Sequence, residues 1–298
     1  RGAVEPWSRS SMPSRIQNIL AEHGTIVFPG VYDTLSALVA EQAGFQLAFV
    51  SGYAVSATLI GEPDLGLLTQ TEVIDRARQI SRVVSIPIIV DADTGYGNAS
   101  NVARTINDLI DAGAAGCFLE DQVWPKRCGH MLGKQVIARD EFLEKIAAAV
   151  DTRGDRDFFI VARTDALACI GLEEALTRAE ASRAAGADAT FVEAPSSIDE
   201  LTIIGKRAPE PTVANMVEQG KTPALGREQL AALGFKLIVY PVAGLYASAH
   251  ALTTTYKHLR ETGTTSGVTG QLFSFKQFNE LIGAYQPNSL MSRREPDT

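Results

Sequence analysis

Short apolar runs rich in β-branched and aromatic residues recur along the chain at 25–29, 47–51, 86–93, 116–120, 158–164, 189–193, 212–215 and 237–241. Each has the length of a strand and is too short for a buried helix. Between them lie stretches whose apolar positions recur at helical spacing, at 71–83, 101–112, 139–150, 172–185, 198–206 and 227–233. Gly113, Gly186 and Gly234 follow three of these stretches, where a helix end favours glycine. The repeat is therefore helix, glycine turn, strand, which makes αβ connections and not hairpins. Eight such strands with no break in composition predict an α/β chain folded as a single (β/α)8 TIM-type barrel. A doubly wound dinucleotide-binding sheet would place a glycine-rich turn after its first strand. Phe28-Pro29-Gly30-Val31-Tyr32 offers a single glycine there. The expected layout is a flexible segment over 1–14, the barrel over 15–260, and a C-terminal helical extension and tail over 261–298. Within the last part, 273–284 reads as a helix and 286–298 as a mobile polar tail.

Barrels of this kind draw their sites from the carboxyl ends of several strands. At those ends stand Ser51 and Gly52, Asp91 and Asp93, Glu120 and Asp121, Arg163 and Asp165, Glu193, and Asn215. A random scatter of polar residues would not fall on six consecutive strand ends, so these residues are expected to meet at one mouth.

Bulk properties narrow the partner. A net charge of −8 provides no basic face for nucleic acid, while a local cluster of Lys and Arg remains able to hold a small carboxylate. No apolar stretch approaches the roughly 18 residues of a membrane span, so no membrane partner is expected. Three cysteines without framework spacing point to a reducing compartment, the cytoplasm or an organellar matrix. Residues 1–14 lack the apolar core of a secretory signal, and Met12 is a candidate natural start.

The segment Lys126-Arg127-Cys128-Gly129-His130 follows the fourth strand and its acids. A thiol between two cations and a histidine is expected to have a lowered pKa and to transfer protons, or attack, near neutral pH. The plain alternative is a small buried hydrophobe. Asp91, Asp93, Glu120 and Asp64 supply four hard oxygen donors, which suits Mg2+, with Mn2+ as an alternative, and waters at the remaining positions. Loop capping or salt bridging is the ordinary use of such acids. His23, His130, His250 and His258 are dispersed and show no zinc-ligand spacing. Arg163 can clamp a substrate carboxylate bidentately, or pair with Asp165 or Glu193. Asn215 is a candidate for a second carboxylate, and the amides of Ser51, Gly52 and Tyr53 for an oxyanion cradle. Together they describe a site for a di- or tricarboxylate whose enolate a divalent ion stabilises. Cys117 reads as strand core, Trp124 as packing for the Cys128 loop, and His250 and His258 as structural. Cys169, on the rim, fits either use.

Several motifs jointly carry a resemblance. Phe49-Val50-Ser51-Gly52, Pro63-Asp64-Leu65-Gly66, Val90-Asp91-Ala92-Asp93-Thr94-Gly95-Tyr96-Gly97, Leu119-Glu120-Asp121-Gln122, Lys126-Arg127-Cys128-Gly129-His130, Ala162-Arg163-Thr164-Asp165-Ala166, Phe191-Val192-Glu193-Ala194 and Asn215 resemble the isocitrate lyase/phosphoenolpyruvate mutase superfamily over about 16–282. The resemblance implies Mg2+ near Asp91 and Asp93, with Glu120 and Asp64 supporting. It implies Cys128 as the acid that protonates a product enolate, with Lys126 and His130 beside it. Arg163, Glu193, Asn215 and Gly129 would surround the substrate, and Ser51, Gly52 and Tyr53 would bind its 2-oxo acid portion. Phosphonate-bond enzymes carry an Asn-Ser pair in the loop that holds Cys128 here. Isocitrate lyases proper carry a long insertion and a Ser-Pro-Ser motif where this chain reads Asn215-Met216-Val217-Glu218-Gln219-Gly220. That segment and Asp121-Gln122-Val123-Trp124-Pro125-Lys126 are similar to the branch of 2-methylisocitrate lyases, 2,3-dimethylmalate lyases and the petal death protein. The implied reaction is cleavage of a substituted 2-hydroxy di- or tricarboxylate, of 2-methylisocitrate or 2-alkylmalate type. Oxaloacetate hydrolysis or decarboxylation, or a carboxyvinyl-carboxyphosphonate mutase-like reaction, is the alternative. Hydrolases of the branch rely on a serine near the end of the last strand, where this chain has Tyr240-Pro241-Val242. Phe191, Val239, Tyr240 and Pro241 are expected to shape the substituent pocket. A homotetramer, a dimer of dimers exchanging a late helix, is implied by resemblance alone.

Overall fold

The computed structural model describes residues 13–131 and 133–284. The tail expected over 286–298 and all of the expected N-terminal segment except Pro13 and Ser14 lie outside those residues. The strands are β1 (Ile26–Val31), β2 (Ala48–Val50), β3 (Ile88–Asp91), β4 (Gly116–Glu120), β5 (Phe159–Thr164), β6 (Ala189–Val192), β7 (Val213–Asn215) and β8 (Leu237–Tyr240). They pair in parallel in the order β6-β5-β4-β3-β2-β1-β8-β7. The remaining seam, between β6 and β7, is spanned by a parallel bridge of Thr190 with Thr212, and the Thr190 amide donates to the Pro211 carbonyl at 3.0 Å. The sheet thus closes into the nearly complete barrel that the repeat predicts.

Side-chain alternation along the strands decides what the barrel holds. One face of each strand points inward, and Phe28, Phe49, Ile89, Phe118, Val161, Phe191, Val213 and Val239 belong to one apolar interior, layered by alternate strands. Phe118 stacks between Phe49 and Phe191, with ring centroids 4.7 and 5.5 Å away. The other face packs Val90, Cys117, Leu119 and Ile160 against helices on one side of the barrel, and Val192 and Ile238 against helices on the other. Those helices include α4 (Gln70–Ser81), α5 (Ala99–Asp111), α6 (Arg139–Arg153), α8 (Leu172–Ala184), α9 (Ile198–Arg207) and α10 (Arg227–Leu233). Below the apolar layer, α1 (Arg15–His23) closes the barrel. Ser14 and Gln17 form its capping box, and Ile16, with no exposed surface, joins the interior cluster. Burying that side chain contributes about 1.5–3 kcal/mol.

Helices α2 (Thr34–Gln42), α3 (Gly52–Leu59) and α7 (Ala166–Cys169) are absent from the predicted set. Their runs of small and apolar residues show no two-sided periodicity, and Asp33 and Ser51 start the first two by accepting amide hydrogens with their side chains. The expected boundary at 260 falls inside α11 (Ala243–Thr262), and the expected terminal helix is α12 (Phe275–Leu281). Neither buries a residue within the chain, and Tyr256 and Phe275 are 63% and 84% exposed. Among the described residues, no helix is long and apolar enough to cross a membrane.

Candidate active site

Two positions beyond the inward apolar layer, the same alternation brings Ser51, Asp91, Glu120, Arg163, Glu193, Asn215 and Pro241 to the carboxyl mouth. A cavity of about 400 Å³ opens there. Phe49, Phe118, Phe191 and Val239 form its floor, and the candidates Ser51, Tyr53, Asp64, Asp91, Cys128, His130, Arg163, Glu193, Asn215 and Pro241 line it. Gly52, Asp93, Glu120, Lys126, Gly129 and Tyr240 do not line it. Gly52 and Gly129 act through size. A Cβ on Gly52 would stand 2.9 Å from Asp91 Oδ2, and one on Gly129 would stand 2.0 Å from Glu193 Oε1.

The acids do not stand alone. Lys126, its side chain 2% exposed, places Nζ 2.5 Å from Asp64 Oδ1 and 2.7 Å from Asp93 Oδ1. This corrects the expectation that Lys126 acidifies the neighbouring thiol, because its charge is committed to carboxylates. Burial instead pushes the Cys128 thiol up, to about 11, so it is protonated at neutral pH. Burial likewise raises Asp91 and Glu120, and pushes Asp93 up to about 7 against the pull of Lys126. Asp93 holds a left-handed backbone at φ 47°.

Arg163 makes the expected pair with Asp165. Its Nε donates to Asp165 Oδ2 at 3.0 Å, and Nη1 lies 3.2 Å from Glu120 Oε2, yet it still lines the cavity, 5.5 Å from the Phe191 ring centre. Glu193 accepts from Asn215 Nδ2 at 3.2 and 3.3 Å and faces His130 Nε2 at 3.4 Å. The Lys221 amide donates to His130 Nδ1 at 3.0 Å, so the ring proton sits on the side of Glu193. Burial lowers the His130 pKa and favours this neutral form.

The expected three-amide cradle also needs correction. The Ser51 amide donates to the Val31 carbonyl at 3.1 Å, as strand pairing requires, and the Ser51 hydroxyl caps α3 by accepting from Ala54. The cradle is left to Gly52 and Tyr53, at a helix start whose amides have no partner within the helix.

Glu120 Oε1 is buried without a hydrogen-bond partner, and Glu120 Oε2 and Asp93 Oδ1 are met only by the charges of Arg163 and Lys126. Around them, four carboxylates (Asp64, Asp91, Asp93 and Glu120) face two cations, Lys126 and Arg163. The surplus of buried negative charge fits a divalent cation. Among the described residues, no three Asp, Glu, His or Cys side chains form a ready cage. Mg2+ takes one or two carboxylates and keeps several waters, so it needs no such cage.

Sequence reasoning missed Met131, residues 217–221 as lining, Val242 and Tyr246. It also missed Lys134, a buried cation beside Asp165. Phe49 and Phe118 were open to detection, since each stands two residues before a recognised site residue on the same strand face. Trp124 packs outside the cavity, 5.9 Å from the Tyr96 ring, and Cys117 is strand core.

The sequence profile of the phosphoenolpyruvate phosphomutase family matches residues 16–260. The chain belongs to the phosphoenolpyruvate mutase/isocitrate lyase superfamily. It is 50% identical to the chloroplastic carboxyvinyl-carboxyphosphonate phosphorylmutase of Arabidopsis thaliana, over 94% of this chain and 83% of that one. It is 43% identical to the 2,3-dimethylmalate lyase of Eubacterium barkeri, over 91% of this chain and 93% of that one. The solved structure of an oxaloacetate acetylhydrolase with 3,3-difluorooxalacetate is 38% identical, with a TM-score of 0.82, covering 87% of this chain and 89% of that one. A phosphonopyruvate hydrolase solved with oxalate and Mg2+ is 32% identical, with a TM-score of 0.81, covering 91% of this chain and 94% of that one. The superfamily therefore includes Mg2+-binding members, and this chain is one of its enzymes.

Proposed function

We propose that the protein is a Mg2+-dependent carbon–carbon lyase that cleaves a substituted 2-hydroxy di- or tricarboxylate, of 2-methylisocitrate or 2-alkylmalate type, into a 2-oxo acid and a second carboxylic acid. The observation that carries this reading is the Cys128 thiol lining the same cavity as Asp91 and Arg163. Arg163 and the α3 amides bind carboxylate oxygens. The carboxylates lining the cavity, Asp64, Asp91 and Glu193, are the bases available to take the 2-hydroxyl proton. The C2–C3 bond then breaks, C2 becomes the carbonyl of the 2-oxo acid, and the bonding pair stays on C3 as the enolate of the second acid. Cys128 delivers the proton to C3. Mg2+, held by Asp91 and Asp93 with Glu120 behind them, would supply positive charge to the developing oxyanion. The apolar floor keeps water from competing for the enolate.

Oxaloacetate hydrolysis is the second reading, supported by the likeness to the acetylhydrolase. Against it, Pro241 lines the cavity and carries no hydroxyl. The exposed apolar residues of α11 and α12 support assembly into a homotetramer, and three unpaired cysteines fit a reducing cytoplasm or organellar matrix.

A lyase panel tests the reading: release of 2-oxo acid from 2-methylisocitrate, 2,3-dimethylmalate, isocitrate and oxaloacetate, with Mg2+ present or chelated. Chelator-sensitive pyruvate from a substituted acid is the expected result. Acetate and oxalate from oxaloacetate alone would put the hydrolase in its place.

A further inference from the structure

Lys134 lies six residues beyond the thiol, with its side chain 1% exposed. Its Nζ donates to the Gly129 carbonyl at 2.6 Å and to Asp165 Oδ1 at 2.5 Å. Asp165 has no exposed surface and also accepts from Arg163 Nε at 3.0 Å. One ammonium thus joins the backbone beside Cys128 to the carboxyl end of β5. On the other side, the Cys128 amide donates to the Asp64 carbonyl at 3.2 Å, and Gly129 lies so close to Glu193 that no Cβ fits. The loop is held at both flanks of the thiol. A lysine this deeply buried needs its charge answered, and here the answer comes from the wall of the site.

We propose that Lys134 is a positioning residue, which latches the Cys128 loop over the cavity by tying Gly129 to Asp165. The kinetic part rests on the lyase reading, and the labelling part does not. With the latch released, the loop lifts, Cys128 meets water, and the thiol leaves its place near C3. A displacement of about 1 Å costs on the order of 100-fold in rate.

The test is Lys134→Met, which keeps the length of the side chain and removes the charge. Iodoacetamide labelling is followed separately on the Cys117, Cys128 and Cys169 peptides, beside circular dichroism and thermal melting. In the folded variant, Cys128 should label at least about 10-fold faster, with Cys117 unchanged. Turnover should fall about 100-fold with KM within a few-fold. Lys134→Arg, which retains the cation, should bring Cys128 labelling back towards the wild-type rate. Unchanged Cys128 labelling, or equal acceleration of all three cysteines, overturns the latch in favour of no role or a general structural one. If Lys134→Met does not fold, Lys134→Gln decides: faster labelling confined to Cys128 in a folded protein supports the latch, and labelling at the wild-type rate overturns it. If the wild type cleaves none of the panel acids, the lyase reading falls while the labelling still judges the latch.

Discussion

The barrel rim has two unlike halves. β3 to β6 bring Asp91, Glu120, Arg163 and Glu193 inward and place Asp93, Asp121 and Asp165 beside them, every one of them buried. β7, β8 and β1 bring Asn215, Pro241 and Gly30 to the rim, where a Cβ on Gly30 would lie 1.9 Å from the Pro241 carbonyl oxygen. All of these strands run parallel and end at the same mouth, so the difference lies in the side chains they present there. On the charged half, most ions are answered by another: Asp64 and Asp93 by Lys126, Glu120 by Arg163, Asp165 by Arg163 and Lys134, Asp121 by Arg178. Removing one leaves its partner buried and unanswered. On the neutral half only Asn215 reaches across, donating to Glu193, and a substitution at Gly30 or Pro241 changes shape and local packing without unpairing a charge. The charged half therefore holds the chemistry in place, and the neutral half decides which substituent fits beside it.

The largest effect expected is at the thiol. Cys128→Ser should leave the fold and Mg2+-induced stabilisation unchanged and lower turnover by about 10³-fold, near 4 kcal/mol, because a hydroxyl is a far weaker proton donor to carbon. Steady-state rates and melts with and without Mg2+ measure both halves of that statement, and retained turnover would remove Cys128 from the mechanism. Next in size is Arg178→Met. Arg178 donates to Asp121 Oδ2 at 3.0 Å, the Ile137 carbonyl at 2.9 Å and Glu174 Oε1 at 2.9 Å, with its side chain 4% exposed. Breaking that buried pair should cost about 3–5 kcal/mol in a denaturant titration. Arg207→Met, at an exposed pair with Glu173, should cost less than about 1 kcal/mol, and equal losses at the two positions would show that burial is not what makes the charged half sensitive.

Much of this was legible from periodicity. The strands read clearly because both faces are buried, which leaves near-continuous apolar runs: the expected 116–120 coincides with β4, and 227–233 with α10. The period of two also carries the site, since Phe49, Phe118 and Phe191 precede Ser51, Glu120 and Glu193 on the same inward face. What escaped depends on where long side chains reach. Lys126 stands two residues from Cys128 in sequence but spends its charge on Asp64 and Asp93, and burial pushes the thiol up where the sequence predicts a lowered pKa. Lys134 lies in a loop without periodicity, and only the folded chain brings it to Asp165. The Ser51 amide, a cradle candidate by sequence, is claimed by strand pairing with β1.

The smallest effect expected falls on the neutral half and is the sharpest test of the comparison. Pro241 follows β8, lines the cavity, and meets Gly30 through its carbonyl, which any residue retains. Pro241→Ser should therefore keep stability within about 1 kcal/mol, because the side chain borders an open cavity and no ion pair is broken. Cleavage of the preferred 2-hydroxy acid should stay within a few-fold, because no charge has lost its partner. The added hydroxyl stands where the substrate is bound and supplies a donor the wild type lacks, so oxaloacetate hydrolysis should appear or rise in the same preparation. Parallel assays of the two substrates separate the outcomes. A few-fold lyase change with new hydrolysis makes the neutral half a selector of substrate and fate. A 100-fold loss of lyase turnover would place Pro241 inside the chemistry and dissolve the division between the halves.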